Sequence, residues 1–184
     1  MAAFFAVSSV GHTMSNCTPF DLQRLLIHEE LRQLVARYAV GIATRDFESV
    51  VGLFVDDVRV APGVVGRQHL KAWLEAGARD LPVTMLITGT HQIEVDGENL
   101  ARGVLFCRAE IGDAANWAHQ LIVYEDVYER RNGRWYFRVR KHLLVYGQNQ
   151  DLRPLAQPPA NWPESQVGAG TAPMHWESWQ QFHC

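Results

Sequence analysis

The hydrophobic period of this chain changes once, from helical to extended, and that change limits the fold more than any single motif. From Asp21 to Thr44 the apolar residues Ile27, Leu31, Leu34, Tyr38 and Ile42 step by four, three, four and four, which makes one stripe on a helix. After a break at Thr44-Arg45-Asp46, Phe47, Val50, Val51 and Phe54 repeat the pattern over a second, short helix. Thr18 or Asp21 is a candidate cap for the first helix, and Asp46 for the second. Val58–Ala61 reads as a short strand stopped by Pro62-Gly63, and residues 66–78 as a third helix with Leu70, Trp73 and Leu74 facing inward. Beyond Asp80–Pro82 the period becomes two. His91, Ile93 and Val95 share one face of a strand, with Gln92, Glu94 and Asp96 on the other. Asp96-Gly97 signals a turn, Leu100–Ile111 and Trp117–Arg130 two further strands, and Asn132-Gly133 a tight hairpin into Trp135–Tyr146. Helices first and antiparallel strands afterwards imply an α+β domain, a curved sheet wrapped on about three N-terminal helices around an apolar pocket.

Bulk properties exclude several functions. The net charge of -3, from 17 basic and 20 acidic residues, leaves no electrostatic footprint for nucleic acid or an anionic membrane. No apolar run reaches the ~20 residues that span a bilayer. The opening AAFFAV is short and lacks a basic flank, so it does not read as a signal peptide; Met14 is an alternative start. Three scattered cysteines, Cys17, Cys107 and Cys184, suggest neither a disulfide framework nor a zinc site, and point to a reducing cytoplasm. His69, His142, His175 and His183 form no metal-ligand spacing, and no HExxH, CxxC, GxSxG or phosphate-binding glycine loop occurs. Neither a metal nor a cofactor is expected. The reading divides the chain into an extension (1–20), the domain (21–147) and a tail (148–184). That tail holds five of the eight prolines and three tryptophans, and is expected to pack on the domain or a neighbouring subunit with only its extreme end loose.

Three segments carry a resemblance: LRQLVARYAVGIATRDFESVVGLFVDDVRV (31–60), THQIEVDGENLA (90–101) and VYEDVYERRNGRWYFRVR (123–140). Their order and spacing resemble the cone-shaped α+β barrel superfamily of nuclear transport factor 2, ketosteroid isomerase, scytalone dehydratase and the SnoaL-like polyketide cyclases. The resemblance implies the fold but does not fix the function, because the superfamily includes isomerases, dehydratases, cyclases and subunits without chemistry.

Three residues are candidates for catalysis. His91 shares a strand face with buried positions, and an imidazole there can move a proton near neutral pH. Its place resembles the histidine base of scytalone dehydratase and hexachlorocyclohexane dehydrochlorinase; the competing role is a structural hydrogen bond to backbone. The helix-borne aspartate of those enzymes, and the tyrosine before it, correspond here to Ala43 and Ile42, neither of which can hold a proton or set a tautomer. Asp126 lies in an apolar strand and resembles the oxyanion-stabilising aspartate of ketosteroid isomerase. It is either a desolvated acid of raised pKa or a surface charge paired across strands with Arg138 or Arg140. Tyr38 resembles the hydrogen-bond-donating tyrosine of that isomerase, with Asp126 or a ligand oxygen as partner, or is a core aromatic whose hydroxyl reaches the surface.

Phe54, Trp73, Leu86, Phe106 and Tyr124 are expected to wall the pocket, and an inward Arg140 to bind a substrate anion or hold Asp126 ionised. Alternation separates His119 from Tyr124 and Asp126. The expected function is a cofactor-independent lyase or isomerase, dehydratase- or cyclase-like, acting on a small hydrophobic ring compound, in a homodimer or homotrimer. The alternatives are a non-catalytic binding or assembly module of the same fold, or a structural subunit of a larger oxygenase.

Overall fold

The structure, a computed structural model, describes residues 19–165 and 167–184. The proposed Thr18 cap, Cys17 and nearly all of the extension lie outside those residues. Helix α1 (Pro19–Thr44) begins on a proline, whose fixed φ and missing N–H suit a first helical position, so Asp21 falls inside the helix. Its stripe residues Ile27, Leu31, Leu34 and Ile42 are buried. At its end Arg45 takes a positive φ of 62°. The Asp46 N–H then donates to Gly41 O (3.0 Å) and the Arg45 N–H to Ile42 O (3.4 Å), which is a Schellman closure. Asp46 caps α2 (Phe47–Gly52), its Oδ1 accepting the Ser49 N–H at 3.1 Å. A short hairpin, β1 (Arg59–Ala61) and β2 (Val64–Val65), leads into α3 (Arg67–Ala78).

Strands β3 (Val83–Val95), β4 (Leu100–Gly112), β5 (Trp117–Arg131) and β6 (Arg134–Gln150) form one antiparallel sheet in sequence order. The curved sheet packs on α1, as the fold class anticipated. Asn132 (φ 51°) and Gly133 (φ 80°) make the two-residue hairpin that an Asn-Gly pair favours. The turn between β3 and β4 is longer, and Gly97 (φ 81°) provides its left-handed residue. No helix among the described residues is long and apolar enough to cross a membrane.

One irregularity positions the interior. Leu86 pairs with Ala109 and Thr88 with Cys107, yet His91 pairs with Leu105. The extra residue on β3 is a bulge at Gly89-Thr90, which moves the inward set from even to odd positions. Leu86 and His91 both face inward only because of it.

The tail returns to its own domain. A fourth helix, α4 (Glu177–His183), packs Phe182 against Phe47 (centroids 5.2 Å apart), and Ser178 Oγ donates to Thr44 O at 2.7 Å. Trp179 Nε1 donates to Pro82 O at 2.8 Å. The end of the chain, expected to be loose, is therefore this helix, seated by one aromatic contact and two side-chain hydrogen bonds.

Candidate functional site

A cavity of ≈ 480 Å³ opens between α1, α3 and the inner face of the sheet. Most of its wall is apolar and includes Ile42, Leu74, Leu86 and Ile122. The polar groups on the wall are few: Tyr38, Tyr124, His142, Gln120, Thr84 and Arg45. That composition suits a small, mostly hydrophobic molecule oriented by a handful of polar contacts.

Tyr38 comes from the α1 stripe and Tyr124 from the inner face of β5, with ring centroids 6.4 Å apart and nearly edge-on. Among the described residues neither hydroxyl has a hydrogen-bond partner, although both rings are on the cavity wall. Burial raises both phenol pKa values, so both remain protonated donors. Behind them lies Arg140, its guanidinium carbon 4.4 Å from each of the two ring centroids and 4.3 Å from that of Phe137. Three ring faces around one cation are a desolvated cation–π setting. His142, opposite Tyr124 in the β5–β6 ladder, meets its ring edge-on at 5.4 Å.

A second group of polar residues lies behind that wall. Arg140 Nε and Nη2 donate to Asp126 Oδ1 and Oδ2 at 2.9 and 2.8 Å. The Tyr128 hydroxyl donates to Asp126 Oδ2 at 2.8 Å and lies 3.0 Å from His91 Nε2. A phenol has one proton, and the carboxylate is the stronger acceptor. His91 therefore carries its proton on Nε2 and donates to the Tyr128 oxygen, which leaves the Nδ1 lone pair free. Burial is the main reason the His91 pKa is lowered to about 4, with Arg140 acting the same way and Asp126 opposing; the ring is neutral at pH 7. Gly103 makes room for this contact, since a methyl group there would stand 3.0 Å from both His91 Nε2 and the Tyr128 hydroxyl.

The expected catalytic trio is thus not gathered around one space. Tyr38 is on the cavity wall, whereas His91 and Asp126 are joined through Tyr128 and are absent from that wall. Asp126 is paired with Arg140, one of the two cross-strand partners anticipated, but inside the protein: the two side chains are 0% and 4% exposed. It is an acceptor in a bidentate ion pair, not a neutral donor, and its tyrosine is Tyr128 instead of Tyr38.

Among the expected wall residues, Leu86 and Tyr124 line the cavity. Trp73 is also on the wall but 66% exposed, so it forms a rim and does not face inward as expected. Phe54 is a core residue: its ring packs 5.1 Å from Phe137 because the chain after α2 bridges to Phe137. Phe106 is on the outer face and 50% exposed, since β4 alternation buries Leu105 and Cys107 instead. His119 also points away from the inner face, 2.7 Å from Glu110.

Sequence reasoning missed Tyr128, His142 and Arg45. Two-residue alternation could have found the first two, since Tyr128 follows Asp126, and His142 follows Arg140, on the same face. No spacing signal marks Arg45. No group of three or more His, Cys, Asp or Glu among the described residues is placed to share a metal ion.

Solved structures with this architecture span most of the chain. A putative scytalone dehydratase from Novosphingobium aromaticivorans superposes with a TM-score of 0.62 at 20% identity, covering 71% of this chain and 91% of that one. A hexachlorocyclohexane dehydrochlorinase from Novosphingobium barchaimii gives a TM-score of 0.60 at 17% identity, covering 71% and 94%. A protein of unknown function from Mycobacterium tuberculosis gives 0.58 at 26% identity, covering 70% and 79%. No sequence match was found among curated proteins. The model of the SnoaL-like domain matches residues 23–141, well over half the sequence and every residue of the cavity wall and of the buried chain behind it except His142, and the protein belongs to the SnoaL-like family.

Proposed function

We propose that the protein is a cofactor-independent lyase or isomerase that moves a proton on a small hydrophobic ring compound held in the cavity. The observation that carries this reading is the pair of partner-free phenols, Tyr38 and Tyr124, on an apolar wall in front of Arg140. Two phenol donors on one wall can stabilise an oxygen as charge develops on it, and beside mostly apolar neighbours they count for more than in open solvent. The Arg140 cation beneath both rings favours electron density arriving at those hydroxyls.

In the reaction, an imidazole takes a proton from the carbon beside a ring carbonyl, and the electron pair moves onto the oxygen that Tyr38 and Tyr124 hold. The imidazolium then returns the proton elsewhere on the carbon skeleton, or the electron pair expels a neighbouring leaving group, which takes the imidazolium proton as it departs. His142 is the imidazole on the wall, and it has no hydrogen-bond partner among the described residues. It therefore takes the proton-carrying role first considered for His91. His91 and Asp126 fix the position of Arg140 through the Tyr128 chain.

The test uses 2-tetralone, a two-ring ketone with exchangeable α-protons, in deuterated buffer. Exchange above the buffer rate is expected, falling about tenfold or more in Tyr38→Phe and in His142→Ala. Binding without exchange contradicts turnover and supports the second reading, a binding module. One observation favours that alternative: the imidazole and carboxylate singled out from the sequence are locked to Tyr128 and off the wall. The outer sheet face exposes Val104, Phe106 and Val139, which supports a homo-oligomer. Sedimentation giving a monomer at micromolar concentration counts against it.

A further inference from the structure

Arg45 occupies a place where the backbone geometry favours glycine over a long charged side chain. It is the residue after the last turn of α1, at the left-handed position of the Schellman closure, where glycine is favoured because a Cβ is disfavoured at positive φ. It is also only 3% exposed. Its Nη1 donates to Ile42 O at 2.5 Å, and Nη2 to Leu81 O and to Thr84 Oγ1 at 3.1 Å. A guanidinium has five N–H groups, and these bonds use three. Nε has no partner.

All three acceptors are neutral, and no carboxylate among the described residues pairs with this cation. The adjacent Asp46 carboxylate is engaged in capping α2. Glu48 and Glu75 share the surface groove beside Arg45 but turn to Lys71, at 2.8 and 3.9 Å. Burial without a counter-ion also lowers the Arg45 pKa to about 10. A buried charge is normally paired, and this one is on the cavity wall next to Thr84, which it contacts.

We propose that Arg45 receives an anionic group of the ligand, so the cavity takes a small ring compound carrying a carboxylate or an equivalent single negative group. The inference rests on the cavity being the ligand site. It also sets a shape. Tyr38 is on α1 and Arg45 directly follows its end, seven residues on, which separates the two backbones by about 10 Å at the rise of an α-helix. The ligand therefore presents its anionic group at one end and the oxygen held by the phenols at the other, across a ring system.

The probe is 6-hydroxy-2-naphthoate, compared with its uncharged analogue 6-hydroxy-2-naphthamide, with binding to the full chain followed by fluorescence. The naphthoate is expected to bind about tenfold or more tightly than the amide. Arg45→Gln is expected to remove that preference, so that the two compounds bind within about twofold of each other. Because Arg45 also ties α1 to the start of β3, a second readout uses the unmodified protein. The Arg45 Nε–H resonance, identified by its loss in Arg45→Lys, is expected to shift with naphthoate and not with the amide. Equal affinities, an unmoved Arg45 resonance with naphthoate bound, or a preference that survives in Arg45→Gln each overturn the proposal and leave the cavity reading standing. Failure of both compounds to bind overturns the two together.

Discussion

Two arginines are buried inside this barrel, and they are held in opposite ways. Arg140 has a bidentate carboxylate, Asp126, and three aromatic rings around its guanidinium. Arg45 has only neutral oxygens. The difference separates what the fold needs from what it offers to another molecule. The Arg140 charge is neutralised inside the protein by Asp126, which Tyr128 joins to His91, so that charge needs no ligand to balance it. The Arg45 charge and the two phenol hydroxyls are incomplete, and all three border the same cavity.

The two arginines differ most in what their partners are worth, and the largest effect is expected at Asp126. Asp126→Asn leaves the Arg140 charge buried and unpaired, and is expected to cost about 3–5 kcal/mol in chemical denaturation. A loss below about 1 kcal/mol would show that the ion pair does not hold the interior together. A smaller effect is expected at Gly103→Ala, where the added methyl presses on His91 Nε2 and the Tyr128 hydroxyl at 3.0 Å. About 1–3 kcal/mol should be lost in thermal unfolding, together with the His91–Tyr128 hydrogen bond.

The pH dependence is smaller again. His91 titrates near 6.5 when unfolded and near 4 when folded, so between those values the unfolded chain binds more protons. Stability should rise as pH goes from about 4 to 6.5 and fall as pH drops through that window. The ring is only partly buried, and solvent screening limits the effect to no more than about 2 kcal/mol. His91→Gln should flatten it, and an unchanged profile would remove His91 from the buried chain. The smallest effect belongs to Arg45→Gly, whose stability is expected to stay within about 1 kcal/mol of the parent. Relief of the left-handed backbone and of the unpaired charge offsets the lost hydrogen bonds. A loss approaching that of Asp126→Asn would make Arg45 structural and erase the contrast.

The fold was legible because its signals are local and repeated. The α1 stripe, the change of period and the Asn132-Gly133 turn each follow from residue spacing, and each corresponds to an observed element. The site was legible only where alternation ran unbroken. Asp126 and Arg140 were singled out together, and their pairing follows from a register that places them directly opposite. Leu86 and His91 fell on the same face only through the bulge at Gly89-Thr90, which no periodicity count reveals. Phe106 was misplaced because a bulky aromatic next to two buried positions looks like core, although its neighbours Leu105 and Cys107 occupy the inner face. Arg45 was hidden for a different reason: its role depends on partners at Leu81 and Thr84, 36 and 39 residues away, and sequence spacing does not encode such contacts.

On this reading the ligand meets the cavity wall and not the buried chain behind it. The most direct measurement is the imidazole proton NMR signals of His142 and His91 during a titration with 2-tetralone. The His142 signal is expected to move in a saturable way while His91 stays fixed. A titration that moves His91 and leaves His142 unchanged would contradict it, and would place the chemistry at the Tyr128 chain instead.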